Sequence, residues 1–513
     1  MGQKMENRER IKKREPIKQE QAKREQEKQE QAKREQEKHE QERILRKEND
    51  RSTRVIQYFF VGLFVLMAGY LVYFNVARAP EVLANSNNTR VDSQAEKVVR
   101  GSIIAANGSV LACTEVDESG AETRVYPYGK MFSHVVGMST RGKSGIEGLA
   151  NYYLLSADSN VLKKAYTEAS GRKLAGDNVY TTLDVALQKA AYLALGENKG
   201  AVVAIDPATG KILAMVSKPD YDPNLAIDMW EDWVSDTSGG SVLYNRATQG
   251  MYPPGSTFKI LTAIEYIREF PDFESFRYSC SGSTTTSTST IHCYNSTVHG
   301  YETLTSAFAN SCNAAFSTMG QQIDGDSFHA LAEDFLFNKE IPIGIESNQS
   351  KFSMTSKSSV GEVMQTTIGQ GNTLISPLHN ALIAATVANG GIMMKPYLIE
   401  KIQTADNQAV TSYAPEEYAT VLTEQEADTL TGYMRSVVTS GTGRSFKNAD
   451  YEVAGKTGTA EYDEDGNSHS WFVGFAPAEH PSIAISVVLE GGYTGYDSAQ
   501  EVAKKVLDVY FTP

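Results

Sequence analysis

"MYPPGSTFKILTAIEYI", residues 251–267, decides how this chain is read. Two prolines and a glycine run into Ser256, and Lys259 follows three residues later at the head of an apolar-periodic run. A serine at a helix start is an ordinary cap. A lysine in the first turn is not, because the positive pole of the helix opposes its charge. Taken alone, the stretch describes a capped helix with one solvated lysine.

The rest of the chain changes that reading. "ANSCNAAF" at 309–316 supplies Ser311-Cys312-Asn313, and "GKTGTAE" at 455–461 supplies Lys456-Thr457-Gly458-Thr459. A Ser-x-x-Lys helix start, a Ser-x-Asn loop and a Lys-Thr-Gly strand, in that order, form the motif set of penicillin-interacting serine acyl enzymes. Each motif alone arises by chance; three in order, each in a fitting local context, do not. At i and i+3 on a helix, Ser256 and Lys259 share a face. Serine is a weak nucleophile until a base takes its proton. A desolvated lysine near another cation has its pKa lowered and can serve as that base, with Lys456 as the expected neighbour. Gly455 and Gly458 in a strand suggest close approach of a ligand to the backbone. The hydroxyls of Thr457 and Thr459 beside Lys456 make a carboxylate-binding edge.

With these motifs in place, residues 100 onward resemble a class B penicillin-binding protein, a monofunctional peptidoglycan D,D-transpeptidase. "RGSIIAANGSVLA" resembles the start of the family's pedestal domain, although Ala105-Ala106 stands where Asp-Arg is usual. "NRATQGMYPPGSTFK", "IGQGNTLISPLHNALIAATVANGG" and "KTGTAEYDEDGNSHSWFVGFAP" resemble blocks around the catalytic cleft. The resemblance implies an α+β fold: an antiparallel sheet with helices on its faces at 176–513, and a small β-rich pedestal at 80–175. It implies Ser256 as the acylated nucleophile, Lys259 as base, and Ser311 and Asn313 as proton relay and substrate-amide ligand. Lys456, Thr457, Gly458 and Thr459 would line the carboxylate site, with the backbone N–H groups of Ser256 and Thr459 as oxyanion hole. It further implies stem peptides ending in D-Ala-D-Ala as substrate, β-lactams as inhibitors, no cofactor required for catalysis, and a multi-span glycan polymerase as partner.

The pattern of strands agrees. Asn107-Gly108 between apolar runs is a hairpin signal, and "GAVVAIDPATGKILAMVS" at 200–217 is a second hairpin. Helical periodicity covers 256–269, 303–321 and 377–389. Strand character returns at 451–462, 470–477 and 482–492, and a helix is predicted over 497–510.

Charge divides the 513 residues unevenly. Residues 1–54 carry 18 Lys/Arg against 13 Asp/Glu, whereas the remaining 459 carry 31 against 50. An acidic body offers no basic face for nucleic acid. In the arm, "QEQAKREQEK" at 19–28 recurs unchanged at 29–38, a composition that cannot build a core and reads as a solvated helix or a tether. "VIQYFFVGLFVLMAGYLVYF" at 55–74 has one strongly polar side chain, Gln57, and as a helix spans roughly 30 Å. Ala77-Arg78-Ala79 resembles a cleavage site, but a long basic arm and a 20-residue apolar run fit an uncleaved membrane helix over 55–76 better. Arg43, Arg46, Lys47, Arg51 and Arg54 place the arm in the cytoplasm and the body outside.

Cys280, Cys293, His299 and Cys312 leave three readings open: a disulfide, structural zinc, or free thiols. A secreted body favours a Cys280–Cys293 disulfide, while a Cys₃His set suits structural zinc. Other functions are weighed against the motifs. A D,D-carboxypeptidase shares every one of them. A β-lactamase lacks its water-activating acid here, and a bifunctional synthase lacks room for a glycosyltransferase. A non-enzymatic β-lactam sensor or scaffold would not need the full set.

Overall fold

The computed structural model describes residues 3–74, 93–158, 164, 167, 169–237, 241–462, 467–491 and 498–512. The arm and the apolar run form one continuous helix, α1 (Gln3–Tyr73). Glutamate one turn before arginine stabilises such a helix in either dipole or side-chain terms. Glu20–Arg24 and Glu30–Arg34, at 3.0 and 3.1 Å, repeat that pair in the two decapeptides. An 18-residue window of this helix has a mean hydropathy of 2.1, long and apolar enough to cross a membrane. The expected end of the membrane helix at 75–76, Ala77-Arg78-Ala79 and most of the polar linker lie outside the described residues.

The smaller β module is built on a six-stranded sheet. Its strands lie in the order Ala409–Ser412, Ile399–Gln403, Asn178–Thr181, Ile103–Ile104, Val110–Val116, Glu122–Val125. Ile103 pairs with Ala112 across the Asn107-Gly108 turn, where Gly108 takes φ +85°. Two of the six strands therefore come from residues 399–412, far along the chain. Glu147, fully buried, holds the module's interior through Arg100 at 2.6 Å and Arg124 at 2.7 Å. Burial alone would raise its carboxyl, but the two guanidinium groups outweigh it and hold the pKa below the usual value.

The larger sheet has five antiparallel strands: β1 (Gly200–Ile205), β2 (Ile212–Lys218), β3 (Ala454–Glu461), β4 (Ser468–Ala476) and β5 (Ile483–Leu489). Their order is β3-β4-β5-β1-β2, so β3 is an edge strand, with no strand paired to its other side among the described residues. Both faces of the sheet are covered, which explains why its strands are apolar along their whole length rather than alternating. On β1, Ala201, Val203 and Ile205 face one core, while Val202 and Ala204 face the other. The first core is shared with α2 (Lys259–Glu269), α3 (Leu304–Ala309), α4 (Asn313–Gly320), α5 (Pro377–Ala388) and α6 (Glu424–Thr439). The second is closed by Val185–Leu195 and α7 (Ala499–Phe511).

The single helical pattern over 303–321 resolves into two helices, α3 and α4. The break is Ser311, a non-glycine residue at φ +57°. Apolar periodicity runs through it because both helices bury the same side, and periodicity does not register one left-handed residue.

Candidate active site

Ser256 sits in a 3-10 turn, Gly255–Phe258, and Lys259 opens α2. The turn is pressed into place from three sides. Gly255 has φ +53°, and a Cβ there would meet Thr459 O at 2.6 Å. Gly369, at φ +77°, lies against it so closely that its own Cβ would meet Gly255 O at 2.1 Å, and Gly255 N donates to Gly369 O at 2.9 Å. The buried indole of Trp471 donates to Pro253 O at 3.1 Å. These contacts bring the backbone of Ser256 beside that of Thr459 on the edge strand β3.

The glycines of β3 serve the protein's own packing. A Cβ on Gly458 would crowd Trp471 Cβ at 3.0 Å, Thr257 Cγ2 at 3.1 Å and Pro254 O at 3.3 Å. One on Gly455 would strike the Phe472 ring at 2.6 Å. Glycine at both positions of a strand predicts close approach of a ligand to the backbone. The structure attributes them to the seating of the Ser256 turn and of a core phenylalanine. Thr457 and Thr459 alternate with buried Lys456 and Gly458, so their hydroxyls share the outward face of β3.

Lys259 is fully buried, and its Nζ donates to Ser311 O (2.7 Å) and Asn313 Oδ1 (2.7 Å) and lies 3.2 Å from Ser311 Oγ. Lys456, also fully buried, donates to the same Ser311 Oγ at 2.9 Å and to Thr457 O at 3.0 Å. Two lysine amines thus share one serine hydroxyl. Among the described residues no hydrogen bond reaches the Ser256 hydroxyl, and the hydrogen bonds of the Lys259 amine go to the Ser-x-Asn turn. Burial pushes the Lys259 amine down to about 7, and the nearby Cys312 and Cys293 sulfurs offset part of that shift. The expected contribution of Lys456 to this shift is not what acts: burial is. The repulsion is felt by Lys456, which burial and then the Lys259 charge hold well below the usual lysine range.

Asn313 is the first residue of α4 and does not cap it. Cys312 takes the cap position, its Sγ accepting from Ala315 N at 3.4 Å. The Asn313 amide is free to bridge instead, its Oδ1 taking the Lys259 proton and its Nδ2 donating to His292 O at 3.0 Å.

Residues 200–508, which contain the five-stranded sheet and this cluster, match the family described as the penicillin binding protein transpeptidase domain. Residues 100–179 match the penicillin binding protein A dimerisation domain. The chain belongs to the penicillin-binding protein transpeptidases. It is 32% identical to the peptidoglycan D,D-transpeptidase PbpA of Mycolicibacterium smegmatis, over 86% of this chain and 94% of that one. It is 31% identical to the peptidoglycan D,D-transpeptidase MrdA of Acinetobacter baumannii, over 76% of this chain and 66% of that one. Among solved structures, penicillin-binding protein A of M. tuberculosis as its imipenem acyl-enzyme is 29% identical, with a TM-score of 0.73, over 81% of this chain and 99% of that one.

In this penicillin-binding protein the cysteines gather directly behind the Ser-x-Asn turn. The Cys280–Cys293 disulfide expected as one alternative is not formed. Those sulfurs lie 3.7 Å apart, and Cys113, Cys280, Cys293 and Cys312 are all free thiols. Cys293 Sγ is 3.8 Å from Cys312 Sγ, and Cys280 Sγ is 3.5 Å from His299 Nδ1. All four candidate ligand atoms fall within 4.8 Å of one another.

The three motifs do not include several residues that shape this cluster. The carbonyl of His292 orients Asn313, and Glu302, buried on the strand Gly300–Thr303, accepts from Asn310 at 2.9 Å just before the left-handed Ser311. Gly369 was visible only as a glycine in "IGQGN". No local signal told which backbone it would meet.

Proposed function

We propose that this chain is a membrane-anchored D,D-transpeptidase that cross-links peptidoglycan stem peptides through an acyl-enzyme on Ser256, the serine that β-lactams would also acylate. The observation that carries the reading is the shared hydrogen bonding of Lys259, Lys456 and Ser311 in a buried site. Ser311 O and Asn313 Oδ1 can only accept, so two positions on Lys259 Nζ are donors. The third, a lone pair when the amine is neutral, faces Ser311 Oγ at 3.2 Å. Lys456 donates to Ser311 Oγ, which leaves the Ser311 proton directed at Lys259.

The steps follow from that wiring. Ser256 Oγ attacks the carbonyl of the penultimate D-Ala, and its proton passes to Lys259 Nζ as the Ser311 proton turns away from that lone pair. The tetrahedral oxyanion forms beside the backbone N–H groups of Ser256 and Thr459, which Gly255 brings together. As the peptide C–N bond breaks, the proton travels from Lys259 through Ser311 to the leaving D-Ala amine. An amine from a second stem then attacks the ester, restoring Ser256–OH and forming the cross-link. Asn313 Nδ2 and the edge strand β3 hold the peptide, and Thr457 and Thr459 hold its terminal carboxylate with the Lys456 amine behind them.

Structural zinc on Cys280, Cys293, His299 and Cys312 belongs to the same proposal. Zn–S bonds of about 2.3 Å in a tetrahedron set neighbouring sulfurs about 3.8 Å apart, a spacing the thiols here already have. When bound, the metal supplies no chemistry to acyl transfer; its four residues brace the Ser311–Asn313 turn and the His292 carbonyl. The basic residues 43–54 support a cytoplasmic arm with the body outside, and α1 with the β module is proposed to meet a multi-span glycan polymerase of elongation or division.

Labelling with a fluorescent penicillin, wild type beside Ser256→Ala, tests the reading. Covalent label on the wild type and none on the variant is expected; an unlabelled wild type would sink it. D-Ala released only to water, with no cross-linked product, would assign the chain to carboxypeptidase work instead.

A further inference from the structure

The loop Ser440–Gly443, which the motifs do not include, touches both walls of the cleft. Thr442 N donates to Ala309 O at 3.2 Å, at the end of α3 and two residues before Ser311. Gly441 lies flat under the same carbonyl, where a Cβ would come within 2.1 Å of it. Gly443 N closes back on Val437 O of α6 at 2.8 Å, and Arg444 Nε donates to Gly441 O at 3.1 Å. The loop is thus fixed, and it presents the exposed hydroxyl of Thr442 to Thr457 Oγ1 at 2.5 Å.

Two hydroxyls at that distance share one hydrogen bond, so one donates and the other accepts. The direction has a consequence for ligand binding. A carboxylate is an acceptor only, and Thr457 can bind it only by donating. If Thr457 donates to Thr442, its proton is spent inside the protein. If Thr442 donates, the Thr457 proton is free for the outward face of β3, and the bond from Thr442 polarises it.

We infer that Thr442 is a positioning residue of the carboxylate subsite: by donating to Thr457 Oγ1 it leaves the Thr457 proton for the terminal carboxylate of the ligand. The inference rests on the transpeptidase reading, in which Thr457 meets that carboxylate. A plain clip between loop and strand would hold the two walls together equally well for any ligand. The proposed role matters only for a ligand that carries the charge.

Thr442→Val keeps the shape of the side chain and removes the hydroxyl, whereas Thr442→Ser keeps the hydroxyl. The measurement is acylation of the full-length protein by benzylpenicillin and by its methyl ester, resolved into binding before acylation and the chemical step after it. With the free acid, Thr442→Val should bind about fivefold more weakly, because Thr457 keeps its proton but loses the neutral hydrogen bond that orients and polarises it, with the chemical step retained. With the ester, wild type and Thr442→Val should react alike, and Thr442→Ser should behave as wild type towards both. Equal slowing for acid and ester, failure of serine to rescue, or an unchanged rate with the acid would each overturn the inference. A wild type that takes no penicillin at all would overturn the transpeptidase reading first, so the two failures are told apart.

Discussion

Lys259, the base of the proposed reaction, sits where burial disfavours a charge. Its amine is fully buried, and its two best contacts are pure acceptors. With its pKa pushed down to about 7, it is neutral above that pH and protonated below it. Acylation of Ser256 by penicillin should therefore rise with pH through about 7 and level off above it. A rate that is flat from pH 6 to 8 would remove Lys259 from the role. The same shift bears on stability. Unfolding returns the amine to about 10.4, so between about 7 and that value the unfolded chain holds a proton that the folded chain lacks. Stability from this group then rises with pH, by at most about 1.4 kcal/mol per unit. Thermal melts of Lys259→Met, compared with wild type at pH 7 and 9, should show that part of the slope gone.

At the scale of elements, the site is a junction of three pieces that each give up something local. The Ser256 turn needs Gly255 at φ +53°, the Ser-x-Asn turn holds Ser311 at φ +57°, and the edge strand carries two glycines. Left-handed geometry at a serine costs roughly 1–2 kcal/mol and persists only where surroundings over-determine it. Here Glu302, Asn310 and the Cys312 cap do so from both sides. The thiol cluster adds a fourth restraint. Metal analysis of the purified full chain should find about one zinc, with tetrahedral Cys₃His ligation expected to protect three of the four thiols. Chelation should expose those thiols and slow acylation by penicillin as the turn loosens. A metal-free protein with all four thiols reactive would contradict the brace.

At the scale of the whole chain, the membrane-length helix and the acidic body are separate statements of charge and hydropathy. A protease applied to intact spheroplasts should digest the body and leave an N-terminal epitope on residues 1–54 intact. Digestion of that epitope in sealed cells would reverse the proposed orientation. The two sheets are less separable than the order of motifs suggests. Residues 399–412 leave the larger domain and complete the sheet of the smaller one beside Asn178–Thr181.

Much of this was legible along the chain, and the reason differs by feature. The strands at 200–217, 470–477 and 482–492 were legible because their apolar runs mark strands of a buried sheet, although that both its faces are covered was not. The three motifs were legible because their chemistry demands particular side chains at short spacing. The break in 303–321 was not legible, since both helices bury the same side. Nor was the reason for Gly458, since a glycine in a strand looks the same whether a ligand or Thr257 needs the space.

The sequence by itself determined which chemistry is possible here: a serine, two lysines and an Asn-bearing turn, a membrane-length helix, and a Cys₃His set. Those follow from residue type and local order. Tertiary structure alone decided that Lys259 turns to Ser311 and Asn313, that Lys456 shares the same hydroxyl, that the sulfurs stand apart as thiols, and that Thr442 reaches Thr457. Each of these joins atoms from distant parts of the chain, and burial between them sets the proton affinities on which the reaction depends.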